Sequence, residues 1–140
     1  MAEGRLTVIE IEFMAFRLAR EMLRFKEPIP DFSTRFPNIL ESCIAAPFQS
    51  FDGKYLYPTI ISRASALFYY MIKNHPFENG NKRIAMTTLL YFLHKNKKWI
   101  KVKIKDFYDF AMFITESPHE EMDNAVKLIE EFLRAHIVDR

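Results

Sequence analysis

The chain has 140 residues, of which 49% are hydrophobic and 15% aromatic, so it can bury the core of one domain and does not resemble a disordered protein. Its 20 basic and 18 acidic side chains leave a net charge of +2, which argues neither for a nucleic-acid binder nor against a local phosphate site. A single cysteine, Cys43, excludes an internal disulfide and a cysteine-based zinc site, and we expect its thiol to be buried. No apolar run reaches about 18 residues and no leader pattern is present, so we expect a cytoplasmic protein without a membrane span.

The first predicted element is a helix from Thr7 to about Phe25. Thr7, followed three places later by Glu10, is typical of a capping box. Helical spacing of the apolar side chains predicts that one face of this helix packs into the core. The residues expected on that face are Ile9, Phe13, Met14, Phe16, Met22 and Leu23.

Two elements are predicted between residues 37 and 58. Pro37 suits the first turn of a helix that Pro47 ends. The dipeptide Asp52-Gly53, with aromatic residues on both sides, predicts a β-hairpin. A long helix then runs from Pro58 to about residue 74. It is apolar or small around much of its circumference, which is typical of a central helix.

A dense set of polar groups follows in residues 75–83 (HPFENGNKR). The imidazole of His75 can take a proton near neutral pH, and Gly80 allows the backbone to come close to a ligand. We expect Asn81 to cap the next helix, whose first turn is a natural seat for phosphate. Lys82 and Arg83 lie at the positive end of the helix dipole, where an anion would explain them. A capped interhelical turn with a solvated basic pair accounts for the same residues.

The helix over residues 84–94 has no charge for ten positions after Arg83, which predicts a buried helix with a rigidly held amino end. Phe77 is expected to anchor the preceding loop in the core. Residues 95–105 carry six lysines around Trp99 and predict a short extended segment. A nucleic-acid surface is the alternative there, and the solvated interpretation is preferred because the whole chain is balanced in charge.

Two more helices complete the predicted fold. Residues 106–115 are predicted to form a short helix. Ser117 and Glu120 suggest a capping box for a last helix that runs to about Ile137, with Pro118 in its first position. The sequence therefore predicts an all-α domain of five to seven helices around two central ones, with one small hairpin.

The nine residues 75–83 resemble the signature of the Fic/Doc (death-on-curing, Fido domain) family, His-x-Phe-x-acid/Asn-Gly/Ala-Asn-Gly/Lys-Arg. Lysine at the eighth place resembles the Doc-like branch. The similarity extends to residues 36–47 (FPNILESCIAAP), 53–58 (GKYLYP) and 64–74 (ASALFYYMIKN). It implies one Fic/Doc domain over residues 1–140, an all-α Fic/Doc-type helical bundle with a β-hairpin flap.

The resemblance also implies a toxin-type transferase that moves a phosphate-containing group from a nucleotide such as ATP to a protein hydroxyl. His75 would be the catalytic base, and Gly80, Asn81, Lys82 and Arg83 would hold the phosphates. Members that transfer AMP have glycine where this chain has Lys82. A lysine fills that space, so transfer of the terminal phosphate to Ser or Thr is favoured, with AMP transfer as the alternative.

Asn79 departs from the acidic residue that many relatives use to bind Mg²⁺. An amide oxygen is a weaker ligand for a hard cation, so Mg²⁺ is expected to arrive mainly through the phosphates of the nucleotide. A second hypothesis follows from this departure, namely that the chain is a Fic-fold binding module with little catalysis.

The resemblance further implies a protein substrate, by analogy a translation factor, that pairs with the hairpin flap by strand addition. Many relatives carry an inhibitory Ser/Thr-x-x-x-Glu-Gly/Asn helix. Ser117 and Glu121 have the right spacing here, but Met122 follows them. By analogy any restraint would come from an antitoxin on a separate chain, or the protein is unrestrained, and we expect neither membrane nor nucleic acid as a partner. The residues assigned to the flap are Asp52, Gly53, Lys54, Tyr55, Leu56 and Tyr57.

Overall fold

Residues 4–22 and 29–140, which the computed structural model describes, form seven α-helical segments and two small antiparallel sheets. The predicted all-α fold with a small hairpin is confirmed. The helices are α1 (Val8–Glu10), α2 (Arg17–Met22), α3 (Pro37–Ala45), α4 (Ile60–Lys73), α5 (Asn81–Lys95), α6 (Ile104–Thr115) and α7 (Met122–His136). The strands are β1 (Ser50–Phe51), β2 (Lys54–Tyr55), β3 (Lys98–Ile100) and β4 (Ile137–Asp139). None of the helices in these residues is both long and apolar enough to cross a bilayer.

The first helix opens with the predicted capping box. Thr7 Oγ1 accepts a hydrogen bond from the Glu10 N–H at 3.2 Å, and Glu10 Oε1 accepts one from the Thr7 N–H at 3.0 Å. These bonds satisfy two of the backbone donors that a helix leaves unpaired at its start. The capping box is therefore confirmed.

A π-helical stretch, Ile11–Phe16, joins α1 to α2 and changes which side chains face inward. Ile11, Ala15 and Phe16 are buried there, so the prediction for Phe16 is confirmed. The prediction was wrong for three other side chains because it assumed an unbroken α-helical period, which a π turn shifts. The exposed residues are Ile9, Phe13 and Met14. Leu23 and Phe25 lie outside the described residues, as does the side chain of Met22.

The pair α4 and α5 forms the centre of the molecule, and most of the residues of both helices are buried. The α4 helix begins two residues after Pro58, because Thr59 is its N-cap and accepts a hydrogen bond from the Ser62 N–H at 3.0 Å. The hydroxyl of Thr87 on α5 donates to the carbonyl of Ala15 at 2.7 Å. This buried bond connects the N-terminal helical segment to α5.

The α3 helix packs antiparallel to α4. Cys43 Sγ donates to the carbonyl of Tyr70 near the end of α4 at 3.3 Å, and the N–H of Phe36 donates to the carbonyl of Pro76 just beyond it at 2.9 Å. Burial raises the pKa of Cys43 to about 11, which confirms a structural thiol. The start of α3 therefore lies beside the loop that follows α4.

The C-terminal third packs α6 and α7 against this core. The predicted extended segment forms β3, which pairs with β4 at the end of the chain. The predicted capping box of Ser117 and Glu120 is wrong, because the Ser117 hydroxyl donates to the carbonyl of Ile114 at 2.7 Å and so completes the end of α6. A 3-10 turn follows, and α7 begins at Met122 without a side-chain cap.

Candidate active site

The loop between α4 and α5 has an unusual backbone at its first functional residue. His75 has φ of +50° and its side chain is exposed. Side chains with a Cβ rarely adopt a positive φ, and such residues occur preferentially at functional sites. The fold thus keeps an imidazole accessible at the end of α4 at a cost in backbone energy.

Asn81 holds this loop in shape. Its Oδ1 accepts a hydrogen bond from the Phe77 N–H at 3.0 Å, and its Nδ2 donates to the Phe77 carbonyl at 2.9 Å. The same Nδ2 lies 3.4 Å from Nδ1 of His75. Because the Asn81 side chain is buried, its two bonds to Phe77 fix the loop, and the third contact places the imidazole beside the amide.

The prediction that Asn81 caps the helix is wrong. Gly80 occupies the N-cap with φ of +73°, and its carbonyl accepts the first helical hydrogen bond, from the Ile84 N–H at 2.9 Å. Glycine adopts this left-handed conformation without steric cost. The side chain of Asn81 therefore bonds the backbone of Phe77, four residues earlier in the chain, and does not cap the helix.

Phe77, the predicted anchor, is 1% exposed. Its ring centroid lies 5.5 Å from that of Phe16 on the first helix and 5.9 Å from that of Phe32. Two aromatic rings from other parts of the chain, Phe16 and Phe32, thus pack against the middle of the loop. Because Asn81 and this cluster hold the same residue, the loop is fixed through both its backbone and its side chain.

Two cations lie in the first turn of α5. Lys82 is half-buried and Arg83 is buried. Basic side chains at the amino end of a helix are unfavourable to the helix itself, whereas an anion there is favoured. The structure thus brings the predicted phosphate-binding residues to one helix end, with His75 six residues before Asn81 and in contact with it.

The predicted metal ligand Asn79 is exposed, as is its neighbour Glu78. No group of three or more His, Cys, Asp or Glu side chains among residues 4–22 and 29–140 is placed to hold a metal ion. These residues do not fit a metal site built from protein ligands alone.

The hairpin lies at the other end of α4. Its turn residues Asp52 and Gly53 have φ of +54° and +78°, as the predicted two-residue turn requires. Tyr55 contacts Arg63 near the start of α4, whereas His75 follows the end of that helix. A 14-residue helix is about 20 Å long, so Tyr55 and His75 belong to opposite ends of α4.

The six hairpin residues differ in exposure. Burial and a hydrogen bond with Tyr70 raise the pKa of Tyr57, which is half-buried and ties the end of the hairpin to α4. The other five are exposed, and they are Asp52, Gly53, Lys54, Tyr55 and Leu56. Only the edge and turn of the hairpin are therefore open to a partner.

Comparison with known proteins decides the family. The model of the Fic/DOC family matches residues 7–93, which is well over half of the chain. This chain belongs to the Fic/DOC family. The matched range contains the His75 loop, the hairpin and the whole of α4, so the Fic/DOC resemblance of the signature is confirmed.

A curated relative of this Fic/DOC chain is "Toxin Doc" of Mycolicibacterium smegmatis (strain ATCC 700084 / mc(2)155). The two are 32% identical over 66 residues, which are 47% of this chain and 51% of the relative. The chain thus spans about half the length of the curated relative that it matches. No solved structure gives a significant match.

Two charged residues near the Fic/DOC core went unnoticed in the sequence. Lys73 is buried, and its Nζ donates to the carbonyls of Thr115, at 3.1 Å, and Ser117 at the end of α6. Arg63 is also buried. The available signal was that these are the only charged side chains in α4, a helix of otherwise apolar, small or neutral residues.

Proposed function

We propose that this chain is a Fic/DOC-type transferase that moves the terminal phosphate of a nucleoside triphosphate to a serine or threonine hydroxyl of a protein. The observation that carries the proposal is the exposed, positive-φ His75, in contact with Asn81 at the amino end of the buried helix α5. His75, the proposed base for the hydroxyl, is thus next to the helix end proposed to bind phosphate.

In the proposed reaction the target hydroxyl oxygen attacks the γ-phosphorus of ATP. The bond between that phosphorus and the β–γ bridging oxygen breaks, and ADP leaves with the electron pair. His75 takes the hydroxyl proton, so the imidazole becomes an imidazolium that must release the proton before the next turnover. The loop that carries the ring is fixed through Asn81 and Phe77, which supports this role because a base has to be held within hydrogen-bond reach of the proton it removes.

Lys82 and Arg83 would stabilise the charge on the phosphates, together with the positive end of the α5 dipole. Gly80, which has no Cβ, would let the backbone approach the nucleotide. Lys82 favours phosphate over AMP transfer in this proposal, because glycine at that place leaves room for a phosphate that the lysine side chain takes up.

Mg²⁺ would supply neutralisation of the phosphate charge when it is bound. The described residues offer no carboxylate cluster for it, and Asn79 would contribute at most one amide oxygen. We therefore assign its remaining ligands to the nucleotide and solvent. His75, Lys82 and Arg83 carry out the steps that belong to the protein.

The partners in this proposal are a cytoplasmic protein target, by analogy a translation factor, and an antitoxin. The relative named "Toxin Doc" supports the antitoxin, because a toxin needs restraint in the cell that makes it. The target would pair with an open edge of the hairpin by strand addition and reach His75 along α4.

Transfer of label to a bacterial lysate tests the proposal. ATP labelled at the γ-phosphate and ATP labelled at the α-phosphate are each incubated with wild type and with His75→Ala. We expect γ label on protein that is lost in the His75→Ala variant. Label from the α-phosphate that depends on His75 would instead establish AMP transfer, the second candidate. Absence of both would leave the binding module, which the exposed neutral Asn79 favours.

A further inference from the structure

Within residues 4–22 and 29–140, Arg63 is a cation without a counter-ion. It is 8% exposed and its Nε is buried with no hydrogen-bond partner. Among the residues that the structure describes, no carboxylate pairs with it. Burying a charge is expensive unless an opposite charge offsets it, so an arginine retained in this position calls for an explanation.

Two aromatic rings hold the guanidinium of Arg63. Its Cζ lies 5.1 Å from the ring centroid of Phe48 and 4.6 Å from that of Tyr55 on β2. Contacts of this kind offset part of the desolvation cost and fix the orientation of the planar group. They do not neutralise its positive charge.

A second guanidinium lies on the same ring. The Cζ of Arg5 is 4.7 Å from the centroid of Phe48, and its backbone carbonyl accepts a hydrogen bond from Lys95 Nζ at 2.8 Å. No described carboxylate pairs with Arg5 either. The N-terminal segment, the hairpin and α4 thus bring together, around Phe48, two guanidinium groups that pair with no carboxylate in the described part of the chain.

The surroundings favour a peptide over a free anion. β1 and β2 pair only with each other among the described strands, so their outer edges present backbone groups that a strand could bond. Phe51 on β1 is 77% exposed and Leu56 follows β2, which provides apolar contacts beside the cations. We do not expect the phosphates of the nucleotide to bind Arg63 and Arg5, because the length of α4 lies between these residues and the His75 loop.

We propose that Arg63 and Arg5 bind an acidic side chain of the protein target while the target segment pairs with the hairpin. This inference rests on the proposed function and specifies its substrate. Arg63 precedes His75 by 12 residues, which is about 18 Å along a helix. An extended chain covers that distance in about five or six residues, so the acidic residue lies that far from the modified hydroxyl.

Two fluorescent twelve-residue peptides test this assignment. Both alternate Val and Thr, and they differ only in three central Glu or Gln side chains. Binding is measured by fluorescence anisotropy with wild type, Arg63→Met, Arg5→Met and, as the matched control, Arg134→Met on the exposed face of α7. Arg5 is exposed, so its variant keeps the test valid if Arg63→Met does not fold.

We expect wild type to bind the Glu peptide about tenfold more tightly than the Gln peptide, with a preference that weakens in high salt. Arg63→Met should abolish the preference, Arg5→Met should reduce it, and Arg134→Met should retain it. Equal affinities for the two peptides, binding of neither, or a preference that survives Arg63→Met and Arg5→Met would overturn the proposal. So would inorganic phosphate that binds through Arg63 while the two peptides bind equally.

The same peptides separate this inference from the proposed chemistry. Peptide binding needs neither nucleotide nor the imidazole, so His75→Ala should show the full Glu preference. A preserved preference without any lysate labelling would place the failure in the transfer reaction. Labelling of a target without the preference would place it in the assignment of Arg63 and Arg5.

Discussion

The side-chain amide of Asn81 bonds both backbone polar groups of Phe77, one at 3.0 Å and one at 2.9 Å, while the ring of Phe77 packs in the core. Asn81→Ala removes both bonds and leaves a buried N–H and a buried carbonyl unpaired. We expect a loss of about 2 kcal/mol in the free energy of unfolding and a much larger relative loss of protein labelling. Urea unfolding and lysate labelling measure the two effects.

Asn96→Ala is the matched control for Asn81→Ala. Asn96 donates to the carbonyl of Phe92 at 2.8 Å at the opposite end of α5, about 20 Å from the loop. The Asn96→Ala variant should have a lower free energy of unfolding than wild type but should label protein in the lysate to the same extent. Equal losses of labelling in the two variants would show that Asn81 acts only through global stability.

The positive φ of His75 predicts a trade between stability and activity. His75→Gly removes both the imidazole and the steric cost of the left-handed backbone, whereas His75→Ala keeps that cost. We expect His75→Gly to be more stable than His75→Ala by about 1 kcal/mol in thermal unfolding, and both to be inactive.

Lys97→Gly serves as the comparison for His75→Gly, because Lys97 has φ of +65° and lies after α5, far from the loop. Lys97→Gly should be more stable than wild type in thermal unfolding by a similar amount and should keep full labelling activity. A His75→Gly variant no more stable than His75→Ala would contradict a strained histidine.

Lys73 connects the end of α4 to the end of α6 through two carbonyls, those of Thr115 and Ser117. Lys73→Met keeps the length of the side chain but leaves both acceptors without their donor. We expect a loss of about 1–3 kcal/mol in the free energy of unfolding. Lys105→Met, which breaks only an exposed pair with Asp109, should leave the free energy of unfolding nearly unchanged. A similar loss in both variants would contradict the stabilising role assigned to Lys73.

The first helix and α5 are joined by Glu10. Burial opposes ionisation of this carboxyl, but hydrogen bonds from Lys95 Nζ at 2.8 Å and Tyr91 at 2.9 Å dominate and lower its pKa below the ordinary 4.5. A lowered folded-state pKa stabilises the protein above the unfolded value, and this contribution is lost as pH falls through the folded value.

Glu10→Gln should therefore cost about 1 kcal/mol at pH 7, and the difference from wild type should shrink as pH falls below 4.5. Thermal unfolding between pH 7 and pH 3 measures this. Glu130→Gln, which removes only the i,i+4 partner of Arg134, provides the control. A constant difference across this range would contradict the assigned pKa shift.

Local patterns in the sequence predicted much of the fold. The Thr7 box, the Asp52-Gly53 turn and the uncharged stretch of α5 are each defined by residues close together in the chain, and all three are confirmed. The β3–β4 pairing depends on partners that are distant in the chain, so local spacing could not reveal it. The π-helical stretch and the bond from the Ser117 hydroxyl to Ile114 are local, but the helical period and the capping-box pattern do not distinguish them from the ordinary alternatives.

The candidate site shows the same division. The signature predicted which residues lie at the amino end of α5, but it did not predict that Gly80 takes the cap and that Asn81 turns back to Phe77. That arrangement depends on a positive φ at Gly80. The glycine itself is the only feature of the local sequence that indicates this conformation. The roles of His75, Lys82 and Arg83, the docking of a target on the hairpin and the extent of the domain stay predictions.

Intact mass spectrometry of a modified target tests the central claim most directly. A target identified by labelling is incubated with unlabelled ATP, Mg²⁺ and either wild type or His75→Ala. We predict a mass gain of one phosphoryl group on a serine or threonine with wild type and none with His75→Ala. A gain of one adenylyl group, or a phosphoryl gain that persists in His75→Ala, would contradict terminal phosphate transfer with His75 as the base.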